Sequence, residues 1–415
     1  MSDRNTSRMR FLFLCPNLFP PRHVDVAVLF GRELGERRGH AIDFLLQSKA
    51  PCRRSYMTRW LGNRVFVGPT DLGGRAANRL RKRLLDLRNN LRVFPLIRRN
   101  RYDFILVKDR FLSGAVSLLA ARIGRLAYIY WLSYPYPEAN LSHFREGTAR
   151  YPALYYIRGK LYGLLLYRLL LPRADHVFVQ SEQMKQDIAG HPAGIPAERM
   201  TPVPMGVSLD EMPDMAPEVE PDDGNKRVVY LGTLLANRRM DFLVHAFFEV
   251  TAAEPKAVLY MVGEGGDPSD IENLRALSEQ LGIGDRVRFT GFLPFTEAWD
   301  HVRRAAVCVS PFYPSPILKS TSPTKLVEYM ALGKAVVAND HPEQRRVIGE
   351  SGAGLCVPYD PAAFGQAIVT LLRDPARRRA MGKRGRRYVS RHRDYPKIAD
   401  FVERRLREVL EIGNG

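Results

Sequence analysis

Short apolar runs and helical patterns alternate along the first half of the chain. Each run is short enough to be a strand, and a helix-forming or polar segment separates it from the next one. This order predicts β-α-β units, in which neighbouring strands pair in parallel. The predicted strands are Phe11–Cys15, Ala41–Leu46, Phe104–Val107, Tyr128–Trp131 and Val177–Gln180.

The same alternation begins again after a proline-rich, acidic stretch at 208–226. The predicted fold class is therefore α/β, with two doubly wound, Rossmann-like domains at 1–207 and 227–390 and a linker between them. A terminal helix at 391–415 could pack back on the first domain. Ligands of such sheets bind beyond the carboxyl ends of the strands, so the cleft between the domains is the expected site. The strands predicted in the second domain are Val228–Leu231, Val258–Val262, Val287–Thr290, Ala306–Val309, Ala335–Ala338 and Leu355–Val357.

The composition adds a strong positive charge. The 415 residues include 63 lysines and arginines against 44 acidic residues, a formal net charge of +19. This excess predicts an anionic partner such as nucleic acid, an acidic membrane surface or a phosphorylated substrate. Proline interrupts the apolar run Phe11–Leu14 before it reaches signal-peptide length, and Arg168 breaks the run Leu161–Pro172. Because both runs are interrupted, we expect no membrane span. The four cysteines are widely spaced, so we expect reduced thiols in a cytoplasmic protein.

Candidate chemistry is concentrated in the segment "SPTKLVEYMALG" at 322–333. Ser322 can cap a helix, Pro323 suits its first position, and a glycine after it can take the left-handed turn that ends it. The free amides of a helix start bind phosphate, and Lys325 adds positive charge there. Glu328 lies three residues later, where a salt bridge with Lys325 would make this an ordinary structural helix. The window alone supports both interpretations equally.

Two loops at strand ends point to the same chemistry. In "YLGTLLANRR" a predicted strand ends at Gly232, and Arg238 and Arg239 supply positive charge before the next helix. In "VGEGG" a glycine cluster at 263–266 follows another strand. This cluster does not fit the dinucleotide-binding fingerprint, whose glycines occupy the first strand-to-helix turn. We expect these two loops and the start of the helix at 322–333 to lie together at one edge of the second sheet.

Together these motifs resemble the retaining glycosyltransferases of family four, which have the GT-B fold. The second half of the chain carries "YLGTLLANRR", "MVGEGG", "RFTGFLP", "SPTKLVEYMALGKAVVA" and "GLCVP". The first half carries the less specific "FLCPNLFPP", "RGHAIDFL", "RADHVFVQSEQM" and "PMGVSLDEM". The resemblance extends from Arg10 to the final helix. It implies a hexosyltransferase whose N-terminal domain binds the acceptor and whose C-terminal domain binds a nucleotide-sugar.

The resemblance also implies a role for each matching residue. Arg238 and Lys325 would bind the diphosphate and act in catalysis, because fixed cations stabilise the charge that develops as the anomeric bond breaks. Glu328 would hydrogen-bond the ribose, and Gly263–Gly265 with Phe292 would line the base pocket. The sequence contains no Asp-x-Asp motif, so we expect transfer without a metal or cofactor, the nucleotide-sugar being a substrate. The expected donor-binding residues are Gly232, Thr233, Arg238, Gly263, Glu264, Gly265, Phe292, Ser320, Ser322, Thr324, Lys325 and Glu328.

Several positions differ from the family pattern. Ser320 stands where a glutamate is usual, Thr233 where an arginine is usual and Ser133 where a histidine is usual. Val24 and Asp25 replace a glycine pair near the first helix. The identity of the donor sugar therefore does not carry over from the family.

On the acceptor side, His23 and Asp109 are the expected catalytic residues. Each has an ordinary alternative, because His23 is also typical of a surface loop and Asp109 could form a weak surface ion pair with Arg110. Further candidates on this side are Arg22, Lys108 and Glu138.

The expected function is transfer of a sugar to a carbohydrate or lipid-linked acceptor, with retention, in polysaccharide, glycolipid or cell-envelope biosynthesis. A nucleotide-sugar donor and this acceptor are the expected partners, and nucleic acid is not. The alternative is a binding protein, either a glycosyltransferase-like subunit without activity or an RNA-associated module drawn by charge.

The basic segment Arg75–Arg101 carries many arginines against the single Asp86, with leucines at helical spacing. A cationic amphipathic helix of this kind can lie on an anionic membrane, which would hold the protein on the inner face. A helix packed on its domain, with its arginines in water, is the alternative. The leucines are Leu80, Leu84, Leu87 and Leu91. A second candidate interfacial patch, with core packing as its alternative, comprises Tyr155, Tyr156, Tyr162 and Tyr167 around Arg158 and Lys160.

Overall fold

The computed structural model describes residues 8–21, 23–70, 84–213 and 226–413. The chain divides into two compact units, one formed by 1–204 with 395–415 and the other by 205–394. Some features named above lie outside the described residues, namely Arg22, Leu80, most of the predicted linker and the first part of the basic segment.

The first unit is built on an eight-stranded sheet with the order β3-β4-β2-β1-β5-β6-β7-β8. Neighbouring strands are parallel, except that β3 pairs antiparallel with β4. All five strands predicted for this half are present at overlapping positions. The strands are β1 (Arg10–Phe19), β2 (Ala41–Ser48), β3 (Tyr56–Trp60), β4 (Asn63–Gly68), β5 (Phe104–Lys108), β6 (Ala127–Leu132), β7 (His176–Val179) and β8 (Met200–Pro202).

The pattern of apolar residues does not predict β3, β4 or β8. The strands β3 and β4 form a hairpin across Leu61 and Gly62, which both have positive φ. Most side chains of β3 remain exposed, so no apolar run marks it. The strand β8 has only three residues and ends in a proline. Both β3 and β8 are edge strands, which bury less surface and therefore leave a weaker signal in the sequence.

The first sheet is covered on both faces, which explains the continuous apolar run of β1. Phe11 and Phe13 belong to one hydrophobic cluster, whereas Leu12 and Leu14 belong to another. The C-terminal helix Tyr395–Gly413 contributes several apolar side chains to the cluster that holds Phe11. This helix is therefore part of the first unit, although its sequence follows the second.

The helices of the first unit connect its strands. No helix of the described ranges combines the length and apolarity that a bilayer crossing requires. The helices are α1 (Asp25–Arg37), α2 (Val93–Arg99), α3 (Leu112–Gly124), α4 (Tyr136–Arg145), α5 (Pro152–Leu164), which continues through Leu165–Leu170 into α6 (Leu171–Arg173), and α7 (Glu182–Ala189).

The predicted basic helix over Arg75–Arg101 is interrupted in its described part. Residues 84–90 are helical, a turn follows at 91–92, and α2 begins at Val93. Leu84, Leu87 and Leu91 are exposed. A single continuous helix is therefore wrong for the residues that can be described.

The second unit contains a six-stranded, all-parallel sheet with the order β11-β10-β9-β12-β13-β14. All six strands predicted for it are present at overlapping positions. The strands are β9 (Lys226–Leu231), β10 (Ala257–Val262), β11 (Val287–Gly291), β12 (Val307–Ser310), β13 (Val336–Asn339) and β14 (Gly354–Val357). The helices are α8 (Asp241–Ala253), α9 (Pro268–Gln280), α10 (Phe295–Arg303), α11 (Pro316–Lys319), α12 (Thr324–Ala331), α13 (Pro342–Ser351), α14 (Pro361–Arg373) and α15 (Pro375–His392).

Candidate functional site

The helix α12 begins at Thr324, and no side chain caps its N-terminus. The predicted cap is wrong, because the Ser322 hydroxyl accepts a hydrogen bond from the backbone N–H of Met205 at 3.0 Å instead. Pro323 is extended, with φ −68° and ψ 100°, so it precedes the helix. Gly333 has φ 72° just past the helix, which confirms its predicted role. The start of α12 is therefore open to a ligand that accepts hydrogen bonds.

Lys325 lies in the first turn of α12, against two aromatic rings. Its Nζ donates a hydrogen bond to the Tyr230 hydroxyl at 2.8 Å and lies 5.0 Å from the centroid of the Phe312 ring. The Arg238 guanidinium lies 5.9 Å from the same ring centroid, so two cations converge there. Burial, together with the charge of Arg238, lowers the pKa of Lys325 well below its usual value. An anionic ligand would reverse that shift.

Glu328 lies one turn later on α12. Burial raises the pKa of its carboxyl group to about 7, against the opposing effect of Lys325. In the described part of the chain the two side chains form no salt bridge, since the ammonium of Lys325 bonds Tyr230. The ordinary interpretation of this helix, an ion pair between Lys325 and Glu328, is therefore wrong. The carboxyl group of Glu328 remains able to accept hydrogen bonds from ligand hydroxyls.

Two predicted glycines bring the loops after β9 and β10 together. Gly232 and Gly263 have φ 151° and 145°, and a Cβ added to Gly263 would lie 1.9 Å from the Gly232 carbonyl oxygen. A Cβ on Gly232 would lie 3.1 Å from Nζ of Lys325. Only glycine at 263 permits this close approach of backbone to backbone. The Gly263 N–H also bonds the Gly291 carbonyl at 3.1 Å, which places the 75% exposed Phe292 beside this edge.

The remaining predicted donor-site residues differ in exposure. Thr233 and Glu264 are exposed, and a hydrogen bond from the Leu234 N–H to the Glu264 carbonyl, at 2.9 Å, joins their loops. Thr324 is half-buried in the first turn of α12. Ser320 is buried just after α11. The structure thus brings the loops of all these residues to the carboxyl edge of the second sheet.

Asp270 holds two of these loops together, although no sequence motif identifies it. Its carboxylate accepts hydrogen bonds from the Gly266 N–H at 2.8 Å and the Ala236 N–H at 3.1 Å. A Cβ on Gly265 would lie 2.6 Å from Cβ of Asp270. The glycine at 265 is therefore needed for packing against Asp270.

The second arginine of the 238–239 pair does not supply free charge. Arg239 has φ 52° and bonds both carboxylate oxygens of Asp241, at 3.1 and 3.0 Å. Within the described residues Arg238 is paired with no carboxylate. The prediction that both arginines charge the loop is therefore wrong for Arg239. The sequence analysis also missed the contacts that Tyr230 and Phe312 make with Lys325, because an aromatic residue in or beside an apolar strand is typical of the hydrophobic core.

In the first unit, Asp109 lies at the carboxyl end of β5 within a buried polar cluster. Its carboxylate accepts hydrogen bonds from the Ser133 hydroxyl and, at 2.8 Å, from the Ser133 N–H. The Lys108 ammonium contacts Asp25 directly and lies 3.6 Å from Asp109. Burial raises the pKa of Asp109 despite this cation. Asp25 and Ser133, which differ from the family pattern, therefore hold the charged groups of Lys108 and Asp109.

The other acceptor-side candidates lie in separate surroundings. Arg110 pairs with Asp86 at 2.8 Å, so the surface pair considered between Arg110 and Asp109 is wrong. Glu138 accepts a hydrogen bond from the Tyr167 hydroxyl at 2.7 Å. His23 is exposed just before α1, and among the described residues no hydrogen bond joins its side chain to Asp109. A catalytic role for His23 stays a prediction.

Two family profiles match the chain, one in each half. A profile described as "Glycosyl transferase 4-like domain" matches residues 30–206, and one described as "Glycosyl transferases group 1" matches residues 225–374. The second match contains the edge formed by Gly232, Arg238 and Lys325.

Curated relatives include enzymes that act on inositol compounds. The phosphatidyl-myo-inositol mannosyltransferase of Mycobacterium leprae is 32% identical over 217 residues, which are 51% of this chain and 54% of that protein. The chain thus spans about half the length of this relative. The D-inositol 3-phosphate glycosyltransferase of Corynebacterium jeikeium is 25% identical over 84% of this chain and 83% of its own length.

Solved structures share the two-domain fold. The sucrose-phosphate synthase of Thermosynechococcus elongatus has a TM-score of 0.72 at 19% identity and covers 97% of this chain and 100% of its own. HepE of Anabaena, solved in complex with UDP and glucose, has a TM-score of 0.65 at 16% identity and covers 96% of this chain and 99% of its own. These likenesses show the GT-B fold. The chain therefore has the GT-B fold, and its two halves match, in turn, a glycosyl transferase 4-like profile and a glycosyl transferases group 1 profile.

Proposed function

We propose that this protein transfers a glycosyl group from a nucleotide-sugar to an acceptor hydroxyl, with retention of anomeric configuration. The observation that carries the proposal is the convergence of Lys325 and Arg238 beside the close-packed backbone of Gly232 and Gly263. Two cations and an uncapped helix start form a site for a diphosphate. The second unit would bind the nucleotide-sugar and the first unit the acceptor.

The chemistry assigned to these residues is stabilisation of the leaving group. As the bond between the anomeric carbon and the diphosphate oxygen breaks, negative charge grows on the diphosphate, and fixed cations lower the barrier most where that charge develops. Lys325 has a lowered pKa in the free protein, so binding of the diphosphate would restore its proton. Glu328 would accept hydrogen bonds from the ribose hydroxyls.

The buried cluster of the first unit supports an acceptor rich in hydroxyl groups. Asp25, Lys108, Asp109 and Ser133 form this polar cluster at the carboxyl end of β5, and ligands of doubly wound sheets bind beyond that edge. The named relatives that act on phosphatidyl-myo-inositol and D-inositol 3-phosphate favour a carbohydrate or lipid-linked acceptor. A role in glycolipid or cell-envelope synthesis at the cytoplasmic face of a membrane follows from that choice.

Thermal unfolding with and without nucleoside diphosphate tests the donor site. Uridine or guanosine diphosphate at about 100 times its dissociation constant should raise the free energy of unfolding by about 2.7 kcal/mol. The matching nucleoside, which lacks phosphate, is the control and should give a much smaller shift. If no nucleoside diphosphate shifts unfolding while RNA binds with a steep salt dependence, the charge serves nucleic acid and the proposal fails. A screen of sugar donors that measures released nucleoside diphosphate separates an enzyme from an inactive relative.

We also expect transfer to proceed without a divalent metal. Among the described residues no group of three or more His, Cys, Asp or Glu side chains could hold a metal ion, and the proposal assigns neutralisation of the diphosphate to Lys325 and Arg238. A chelator should therefore leave the initial rate unchanged. A rate that the chelator abolishes and that Mg²⁺ or Mn²⁺ restores would contradict this assignment.

A further inference from the structure

The helix α5 exposes a stripe of large apolar side chains. Leu154, Ile157, Leu161 and Leu164 are 43%, 62%, 40% and 60% exposed. Their spacing of three, four and three residues places them on one face of the helix. Four contiguous exposed aliphatic side chains are unusual on a soluble protein and mark an interaction surface. These four residues are called the α5 stripe below.

The packing of α5 explains why the stripe faces outward. Gly159 is the one residue of α5 that is buried, and a Cβ there would lie 2.8 Å from Leu141 of α4. Gly163 lies next to Pro137 of α4. Each of these glycines follows a stripe residue by two positions, or about 200° around the helix. The small face of α5 therefore packs on α4, and the stripe points away from it.

The charged residues of α5 and of the segments that flank it in sequence are all basic. From 147 to 174 the sequence contains no Asp or Glu, and it contains five cations. Arg158 and Lys160 lie on either side of the stripe, and their charged groups lie 5.3 and 5.7 Å from the ring centroids of Tyr162 and Tyr156. Aliphatic residues flanked by tyrosines and cations are the composition of helices that lie in a membrane interface. The cations are Arg150, Arg158, Lys160, Arg168 and Arg173.

We propose that α5 lies on an anionic lipid leaflet, with the α5 stripe at the boundary of the acyl chains and Arg158 and Lys160 against the lipid phosphates. A second copy of the chain fits this surface poorly, because two α5 helices would bring their cations together and α5 itself has no acidic residue to pair with them. The tyrosines predicted to form an interfacial patch differ in exposure. Tyr156 is exposed beside the stripe, whereas Tyr167 is buried in the core. The inference rests on the proposed function only in that a lipid-linked acceptor would explain the location.

Co-sedimentation of the full-length protein with vesicles tests the inference. The vesicles contain either phosphatidylcholine alone or phosphatidylcholine with phosphatidylglycerol, at low and high salt. The wild-type protein should prefer the anionic vesicles. The double variant Arg158→Gln/Lys160→Gln should lower partitioning to anionic vesicles by a factor on the order of 10 to 30, because each basic residue near the surface contributes about 1 kcal/mol. The double variant Ile157→Ser/Leu161→Ser should lower it by a factor on the order of 100.

Matched controls come from exposed positions of the second unit. Phe248→Ser removes an apolar side chain that is 41% exposed and matches the apolar variant. Lys256→Gln/Arg288→Gln removes two exposed cations and matches the charge variant. Both should leave vesicle binding unchanged. Equal binding of wild type to neutral and anionic vesicles, or equal losses in the controls and the α5 variants, would overturn the proposal. So would a dimer in sedimentation velocity that the Ile157→Ser/Leu161→Ser variant dissociates.

The two proposals fail in different ways. The α5 variants should keep the same thermal shift with nucleoside diphosphate, because the substitutions lie in the first unit. If the wild type binds anionic vesicles through α5 but no nucleoside diphosphate shifts its unfolding, the lipid surface stands and the proposed donor site fails. If nucleoside diphosphate shifts unfolding but the wild type does not bind anionic vesicles, the proposed donor site stands and the lipid surface fails.

Discussion

Replacement of Lys325 or Arg238 by alanine is expected to lower the turnover number by about 10²–10³-fold, the usual effect of removing one group that stabilises a developing oxyanion. Both cations lie near the ring of Phe312, and Nζ of Lys325 lies beside Gly232. Under the proposed function, each substitution removes a charge that would stabilise the leaving diphosphate. The measurement is the rate at saturating donor, with release of nucleoside diphosphate as the readout.

The loss of turnover should not reflect unfolding. The pKa of Lys325 is lowered in the folded chain by burial and by Arg238, so the folded state disfavours its proton relative to the unfolded state. Below the ordinary pKa of lysine, this group therefore reduces stability, and the Lys325→Ala variant should unfold at an equal or higher temperature than wild type. A large drop in its unfolding temperature would show that the side chain is structural.

Neighbouring cations provide matched controls. Arg239 follows Arg238 directly but is paired with Asp241, and Lys319 is exposed on α11. Arg239→Ala and Lys319→Ala should keep nearly normal turnover. Binding of nucleoside diphosphate should also be accompanied by proton uptake at Lys325, measurable by calorimetry in buffers of different ionisation enthalpy. Near-normal turnover of Lys325→Ala or Arg238→Ala would contradict the diphosphate assignment.

The Glu328→Gln substitution is expected to weaken donor binding and to stabilise the free protein above neutral pH. A hydrogen bond to a charged group contributes about 1.5–3 kcal/mol, so the dissociation constant of the donor should rise on the order of 10- to 100-fold. The carboxyl group has a pKa of about 7 in the folded chain against an ordinary value of 4.5, because burial disfavours its charged form.

The sign of the pH effect follows from that difference. Between pH 4.5 and about 7 the folded chain binds more protons than the unfolded chain at Glu328, so wild-type stability falls as pH rises through this range. Glutamine cannot ionise, and the variant should lose this dependence. Unfolding curves measured across the pH range test the effect. If the variant is less stable than wild type at neutral pH, Glu328 is held as an ion pair after all.

The parallel strands and the glycines at the carboxyl edge of the second sheet were predicted from local pattern because each depends on local chemistry. A strand covered on both faces needs a continuous apolar run, as in β1, where Phe11 and Leu12 enter different clusters. Gly232 and Gly263 adopt positive φ at strand ends, which other residues rarely tolerate. Edge strands such as β3 and β8 carry no comparable requirement, so they were missed.

Residue pairing, by contrast, required the tertiary structure. Asp25 and Lys108 are 83 positions apart in sequence and contact each other. The Ser322 hydroxyl accepts a hydrogen bond from the Met205 N–H rather than from the helix that follows it. Arg238 and Arg239 are adjacent and chemically identical, yet only Arg239 meets a carboxylate. Hydrogen bonds and ion pairs depend on the direction of each side chain, and that direction is set by packing against distant segments.

The sequence by itself determined the fold class, the positions of most strands and the residue types at the carboxyl edge of the second sheet, since backbone conformation and periodic burial depend on neighbouring residues. Tertiary structure alone decided which cations are free and which apolar helix faces meet water. The leucines of α5 have the spacing of a core helix, and they are exposed because Gly159 turns the opposite face of the helix toward α4. Apolar periodicity shows that a face needs a partner, whereas only packing shows whether the protein itself provides one.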